Sequence, residues 1–340
     1  MDKNLKPLLY ETLVAQAIAD ALGYLVEFKD WSAIKDKYGE KGLEFSYINS
    51  VSKILSTDDT QMNIFCVQGL SNELEEHEIV DPTQAIYKEY VAWLSTQGFG
   101  GKEQSLLNEY KELYYRRAPG NTCLTALGSG KCGSIEEPIN ESKGCGGIMR
   151  TMPTAFFAQT MQDAFVWGAK QAAITHGQVL GYLSAGSYSA VAYQLIHNPQ
   201  MSIVEAMENV KPILSNYKDG QEMIMVIDKT IAAIAIQKKF EHEDLNNMLG
   251  NGWVGEEAFA LSMYLASKYQ KYEDVVYYGI NNNGDSDSIA MLGTGIWHLK
   301  NRKSEEFMQF APKVDLQKCI QETVDYIIEI EYDSKKSLKI

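Results

Sequence analysis

Apolar residues recur at three- and four-residue steps along almost the whole chain, and strict apolar–polar alternation is scarce. That period belongs to the α-helix and not to the strand, so it restricts the fold class before anything else is considered. Leu5, Leu8, Leu9, Leu13, Ala17 and Ala21 mark an amphipathic first helix that reaches about Leu22. Residues 160–175, 177–197, 202–215, 221–239, 253–269, 287–300 and 314–331 read as helices by the same spacing. Within 177–197, the small residues Gly181, Ala185, Ser189 and Ala192 lie along one stripe, which lets a neighbouring helix come close. The best strand candidate is the short Leu43-Glu44-Phe45-Ser46-Tyr47-Ile48. Residues 116–148 concentrate Gly, Pro, Asn, Ser and Cys with little periodicity, and a loop of that length inside a compact domain is usually functional or disordered. There is no internal repeat and no linker-like shift in composition. The expectation is therefore one all-α multi-helix domain over residues 1–340.

The chain carries a formal net charge of −14. A surface that acidic repels nucleic acid and anionic membrane, so neither is an expected partner. It also means that any phosphate-bearing ligand needs positive potential supplied locally. The span Gln171–Val204 has no formal charge, yet it contains His176, Gln178, Asn198 and Pro199, which fits a buried core helix better than a membrane span. Five scattered cysteines (66, 123, 132, 145 and 319) without a C-x-x-C pair read as reduced thiols of a cytoplasmic protein. The first residues do not form a signal peptide, because Glu11 and Asp20 fall where its apolar region would be. The run Glu73-Leu74-Glu75-Glu76 reads as a solvated face, and His77 as surface or packed.

Acidic groups gather at element boundaries. Thr57-Asp58-Asp59-Thr60 precedes one helix and Asp285-Ser286-Asp287-Ser288 precedes another, while Asp20 and Glu27 flank Gly23 at the end of the first. Helix capping explains part of this, since Ser, Thr and Asp are good N-caps and carboxylates suit a first turn. A cap needs only one acceptor, however, and each of these two loops offers two carboxylates plus hydroxyls. Were both loops to face one cavity, the crowded negative charge would call for bound cations. The donors are all hard oxygen, which suits Mg²⁺, Mn²⁺ or Ca²⁺ and not zinc. An EF-hand is excluded: residues 281–292 have Asp only at the fifth and seventh positions and lack the closing Glu.

Seven segments in order then give the chain a specific resemblance. They are A-D-A-L-G-Y-L-V-E (19–27), S-T-D-D-T-Q-M (56–62), R-A-P-G-N-T (117–122), G-C-G-G-I-M-R-T-M-P (144–153), I-T-H (174–176), G-W-V-G-E-E-A (252–258) and N-G-D-S-D-S-I-A (283–290). The chain resembles the ADP-ribosylglycohydrolases, the family of dinitrogenase reductase-activating glycohydrolase and the ADP-ribosylarginine hydrolases. The resemblance implies an orthogonal all-α bundle with two Mg²⁺ (or Mn²⁺) ions at the bottom of a cleft. On it, Thr57, Asp58, Asp59, Asp285, Asp287 and Ser288 hold metal, and Glu27 and Asp59 are the acid/base candidates. Ser142, Lys143, Gly144, Cys145, Gly146 and Gly147 wrap the pyrophosphate and distal ribose, and His176 contacts the phosphate side. The implied reaction is hydrolysis of ADP-ribose from a modified protein or peptide, with arginine as the first expectation and an O-linked serine or metabolite as the alternative. From another class, the chain would be an immunity-type protein that caps a cognate ADP-ribosyltransferase.

The chain departs from the family pattern at Ala19, Cys145, Asn283 and Ser288, where the family usually has Gly, Asn, Gly and Thr. Ser288 keeps the hydroxyl that the resemblance gives to the metal, and Asn283 is tolerable because asparagine can adopt a left-handed backbone nearly as well as glycine. Cys145 as a thiol nucleophile with His176 lacks an orienting third group and is the weaker reading. Trp253 and Tyr264 are expected in the core, with Tyr110, Tyr114 and Tyr115 as candidates to flank the cleft.

Overall fold

The computed structural model describes residues 5–76 and 79–337, with side chains described over 5–74 and 79–327. Glu75, Glu76 and His77 thus lie outside the residues whose side chains are described. Pro7 starts helix α1 (Lys6–Gly23), where its missing N–H costs nothing. It is followed by α2 (Trp31–Tyr38), α3 (Asp58–Glu76), α4 (Thr83–Thr96) and α5 (Asn121–Gly128). Next come α6 (Met152–Phe157), α7 (Met161–Ala173), α8 (Val179–His197), α9 (Ile203–Glu208), α10 (Lys211–Leu214) and α11 (Gly220–Ala235). The remaining helices are α12 (His242–Leu249), α13 (Gly255–Lys268), α14 (Tyr272–Ile280), α15 (Ser286–Asn301) and α16 (Gln317–Ser337). Among the described residues there is no strand, only the isolated bridges Ile54–Val314 and Gly144–Val254. The fold is all-α, as the apolar period requires.

Three expectations are corrected. Residues 43–48 do not form a strand: Phe45–Ser50 is a 3-10 helix, which puts the packed Phe45 and the fully buried Ile48 on one side at i, i+3. The expected helix 202–215 is two helices, α9 and α10, because Pro212 can only sit at the start of the second. The long loop 116–148 contains α5.

Helix α15 packs against α1, α13 and α14, and α7 packs against α8. The small residues of α8 do what their spacing promises. A Cβ on Gly186 would stand 2.7 Å from Phe165 O, and one on Gly168 of α7 would stand 2.4 Å from Ser189 Oγ. Backbones in such contact bury nearly the whole uncharged span, and among the described residues no helix is long and apolar enough to cross a membrane.

Candidate active site

The loop before α3 is organised from a distance by Asp20, a fully buried carboxylate in the last turn of α1. Asp20 accepts hydrogen bonds from the Thr57 N–H (3.0 Å), the Thr57 hydroxyl (2.7 Å), the Thr60 N–H (3.3 Å) and the Thr60 hydroxyl. Thr57 Oγ1 in turn accepts the Asp59 N–H at 3.2 Å, which caps α3. One lone pair of the Thr57 hydroxyl is then left over. Capping is thus done by Thr57, and both aspartates are free for other work. Arg117 steadies the same loop, donating to Ser56 O at 2.7 Å and pairing with Asp315, while Gly120 N–H donates to Asp58 Oδ2 at 3.1 Å. Ala118 between them sits in the left-handed region at φ 49°, the kind of backbone strain that gathers at working sites.

The second acidic loop is braced by three asparagines. Asn281 clamps Leu43 through both its amide atoms (2.8 and 2.9 Å), Asn282 Oδ1 accepts Gly284 N–H at 2.6 Å, and Asn283 Oδ1 accepts Trp31 N–H at 2.7 Å. Asn283 is not among the positive-φ residues, so its reason for standing there is this bond to the start of α2 and not a left-handed backbone.

The two loops meet. Ser288 Oγ donates to Asp59 Oδ2 at 2.7 Å, across 229 residues of chain. Asp287 Oδ1 accepts Ser288 N–H at 2.9 Å, and Cys145 Sγ donates to Asp285 Oδ2 at 2.6 Å. Glu27 comes from a third segment, the turn after α1, and its Oε2 is buried without a hydrogen-bond partner. Ligand oxygens of Glu27, Asp285 and Asp287 lie within 4.8 Å of one another. All three carboxylates, with Asp58 and Asp59, line one cleft of about 350 Å³.

Burying so much like charge has a cost that shows in the acidities. Burial, then the charges of Asp285 and Asp58, push Glu27 up to about 9. Burial, with Asp20 and Asp285, pushes Asp58 up to about 8, and burial raises Asp20 to about 6. Asp59 and Asp287 lie well above the usual carboxylate range for the same reasons, and Asp285 above it through burial. An orphaned buried oxygen among oxygen donors of one sign fits hard divalent cations.

Comparison with known proteins identifies the family and the fold. The sequence profile of the ADP-ribosylglycohydrolases matches residues 1–297. The chain belongs to the ADP-ribosylglycohydrolase family. It is accordingly a hydrolase of the ADP-ribosylglycohydrolase type, with ADP-ribose and ADP-ribosylated substrates as the ligands the family suggests. A solved structure described as an ADP-ribosylglycohydrolase-related protein complex superposes with a TM-score of 0.62 at 13% identity. The match covers 97% of this chain and 99% of that one, and at such identity it speaks for the fold alone. Among curated proteins none matches the chain.

Of the ligand loop expected for an ADP-ribosylglycohydrolase, Cys145 and Gly146 line the cleft; Ser142, Lys143, Gly144 and Gly147 do not. Lys143 is paired with Glu256, and its carbonyl accepts Gly255 N–H at 2.8 Å. His176 is buried beneath the glycines: a Cβ on Gly146 would stand 3.2 Å from its Cε1, and one on Gly147 3.4 Å from its Cβ. Burial and the nearby Arg150 push His176 down to about 3, so it is neutral and supports the loop from below. Thr57 also lies outside the lining of the cleft. Tyr264 is fully buried as expected, but Trp253 is 39% exposed on the cleft rim, and Tyr110, Tyr114 and Tyr115 do not line it.

The sequence did not reveal the bracing role of Asp20, read only as an acidic flank of Gly23, or the place of Phe28 on the cleft rim. A pH dependence follows. Glu27 and Asp58 have raised folded-state values, so their stabilising contribution is complete below the unfolded values of 4.5 and 3.8 and is lost as pH rises through about 9 and 8. The melting temperature in EDTA is expected to fall between roughly pH 5 and pH 9. The increase caused by Mg²⁺ is expected to grow over the same range, because protons and metal compete for these oxygens. Glu27→Gln should flatten the EDTA slope; an unchanged slope would remove Glu27 from the account.

Proposed function

We propose that this chain is a metal-dependent hydrolase that releases ADP-ribose from a modified arginine side chain. The observation that carries the reading is the Ser288–Asp59 hydrogen bond of 2.7 Å, which joins two acidic loops over one cleft. Thr57, Asp58, Asp59, Asp285, Asp287 and Ser288 would hold two Mg²⁺ (or Mn²⁺) ions, with Glu27 beside them. Bound there, the ions supply Lewis acidity and a water of lowered pKa. Cleavage at the ribose C1″ passes through an oxocarbenium-like state, so the protein must hold the ribose, deliver a water and exchange one proton with the leaving group.

Both acid/base candidates line the cleft with one hydrogen-bonded side-chain neighbour each, Ser288 for Asp59 and Asp287 for Glu27, and Glu27 Oε2 is buried without a partner. The N-terminus of α5, at Gly120 and Asn121 on the cleft wall, has no side-chain cap, so its N–H groups and dipole favour an anion there. That supports a diphosphate on this wall and answers the need for local positive potential in an acidic protein.

The test is release of ADP-ribose from ADP-ribosyl-arginine and ADP-ribosyl-serine peptides, with and without EDTA. Release from arginine that EDTA abolishes and Mg²⁺ restores is the expected result. No release from either peptide with metal present would overturn the hydrolase reading, and release from serine alone would overturn the arginine assignment.

A further inference from the structure

Phe28 and Trp253 stand on the rim of the acidic cleft with ring centroids 6.0 Å apart and planes inclined by only 13°. Phe28 is 73% exposed and Trp253 39%, so an aromatic face is open to whatever enters. Neither ring is placed by accident of the surface. Phe28 follows Glu27 directly, and Trp253 is tied to the glycine loop, its carbonyl accepting Cys145 N–H at 3.1 Å.

The charge around the pair selects its guest. Five carboxylates line the cleft, and among its described lining residues there is no lysine, arginine or histidine. With two divalent cations in place one net negative charge would remain, so a cation at the mouth stays favoured. A planar cation on an aromatic face gains further from the ring quadrupole. The guanidinium of a modified arginine is such a group; a serine oxygen has neither the charge nor the plane.

Resting on the hydrolase reading above, we infer that Phe28 and Trp253 form the platform that receives the guanidinium leaving group and sets the preference for arginine over serine. The connectivity of ADP-ribose argues against adenine as the guest. With the distal ribose over the carboxylates, a diphosphate and a second ribose separate adenine from C1″. The group beside Glu27 is the one that leaves.

The experiment compares kcat/KM on ADP-ribosyl-arginine and ADP-ribosyl-serine peptides for the native chain, Phe28→Leu and Phe28→Tyr. Phe28→Leu keeps apolar bulk and removes the π face. The arginine-to-serine ratio is expected to fall roughly five- to thirtyfold, the size to which about 1–2 kcal/mol of cation–π attraction converts. The inhibition constant of agmatine, a free guanidinium, is expected to rise by a similar factor, and Phe28→Tyr to restore both. Because Phe28 is so exposed, the melting temperature and its Mg²⁺-induced increase are expected to stay as in the native chain. An unchanged ratio with unchanged agmatine inhibition, or equal losses on both peptides as adenine stacking would give, overturns the platform while leaving the hydrolase reading intact. A native chain that cleaves neither peptide fails the hydrolase reading itself.

Discussion

Asp287→Asn is expected to lower turnover roughly a thousandfold, the scale of the several kcal/mol that a Lewis-acid centre contributes, and at the same time to raise the melting temperature of the protein in EDTA. The two effects have one cause. Asp287 is buried, and burial with the charges of Asp59, Asp285 and Glu27 holds its carboxyl well above the ordinary range. In EDTA that carboxyl must be kept protonated although it would ionise in the unfolded chain, a cost that asparagine does not carry. Asparagine keeps an oxygen to accept the Ser288 N–H, now at 2.9 Å, so the start of α15 is not disturbed. The same substitution removes one carboxylate oxygen from the Glu27, Asp285, Asp287 group proposed to hold metal. The stabilisation expected from Mg²⁺ in the native chain, about 2.7 kcal/mol at a hundredfold excess over its dissociation constant, should then shrink. Calorimetry in EDTA and in Mg²⁺, alongside turnover, separates this from simple unfolding. A variant with native turnover and a native Mg²⁺ response would remove Asp287 from the metal centre.

How much of this was legible beforehand depended on how local the signal was. The helices were readable because an amphipathic helix writes its period into its own residues; α11 shows this more clearly than α8, which is apolar nearly all round. The two acidic loops were readable because each packs two carboxylates and hydroxyls into four residues, more than a cap requires. What could not be read were the partners supplied by the fold. Asp20 is one acidic residue in a helix, and nothing in its neighbours says that it will accept four hydrogen bonds from Thr57 and Thr60. Asn283 owes its place to Trp31, 252 residues away, and not to its own backbone angle. Trp253 follows a glycine and precedes an apolar helix, a core-like setting, yet its loop carries it to the rim beside Phe28. Leu43–Ile48 fits both a two-residue and a three-residue period over so short a run, and with no strand among the described residues to pair with, the 3-10 turn prevails.

Gly23 shows how the fold holds the acidic loops in register, and Gly23→Ala is expected to cost about 1–3 kcal/mol of stability and roughly a hundredfold in turnover. Gly23 ends α1, and a Cβ there would stand 2.4 Å from Asp287 Cα, 2.6 Å from Asp287 N and 2.8 Å from Ser286 C. All three are backbone atoms of the first turn of α15, so no side-chain rotation relieves the clash. The φ of Gly23 is not in the left-handed region, so the cost is steric and not conformational. That makes the sign of the effect informative, because alanine in a helix would otherwise gain about 1 kcal/mol over glycine. Gly128 at the end of α5 supplies the control: a Cβ there meets nothing within 4 Å, and Gly128→Ala should be neutral or stabilising with full turnover. To admit the methyl at position 23, α1 and α15 must separate by about an ångström. Glu27 follows α1 and Asp287 belongs to α15, so the gap opens between the Glu27 carboxylate and the Asp287 it is hydrogen-bonded to. A Gly23→Ala protein that is both more stable and fully active would show that α1 and α15 do not set the spacing of these carboxylates.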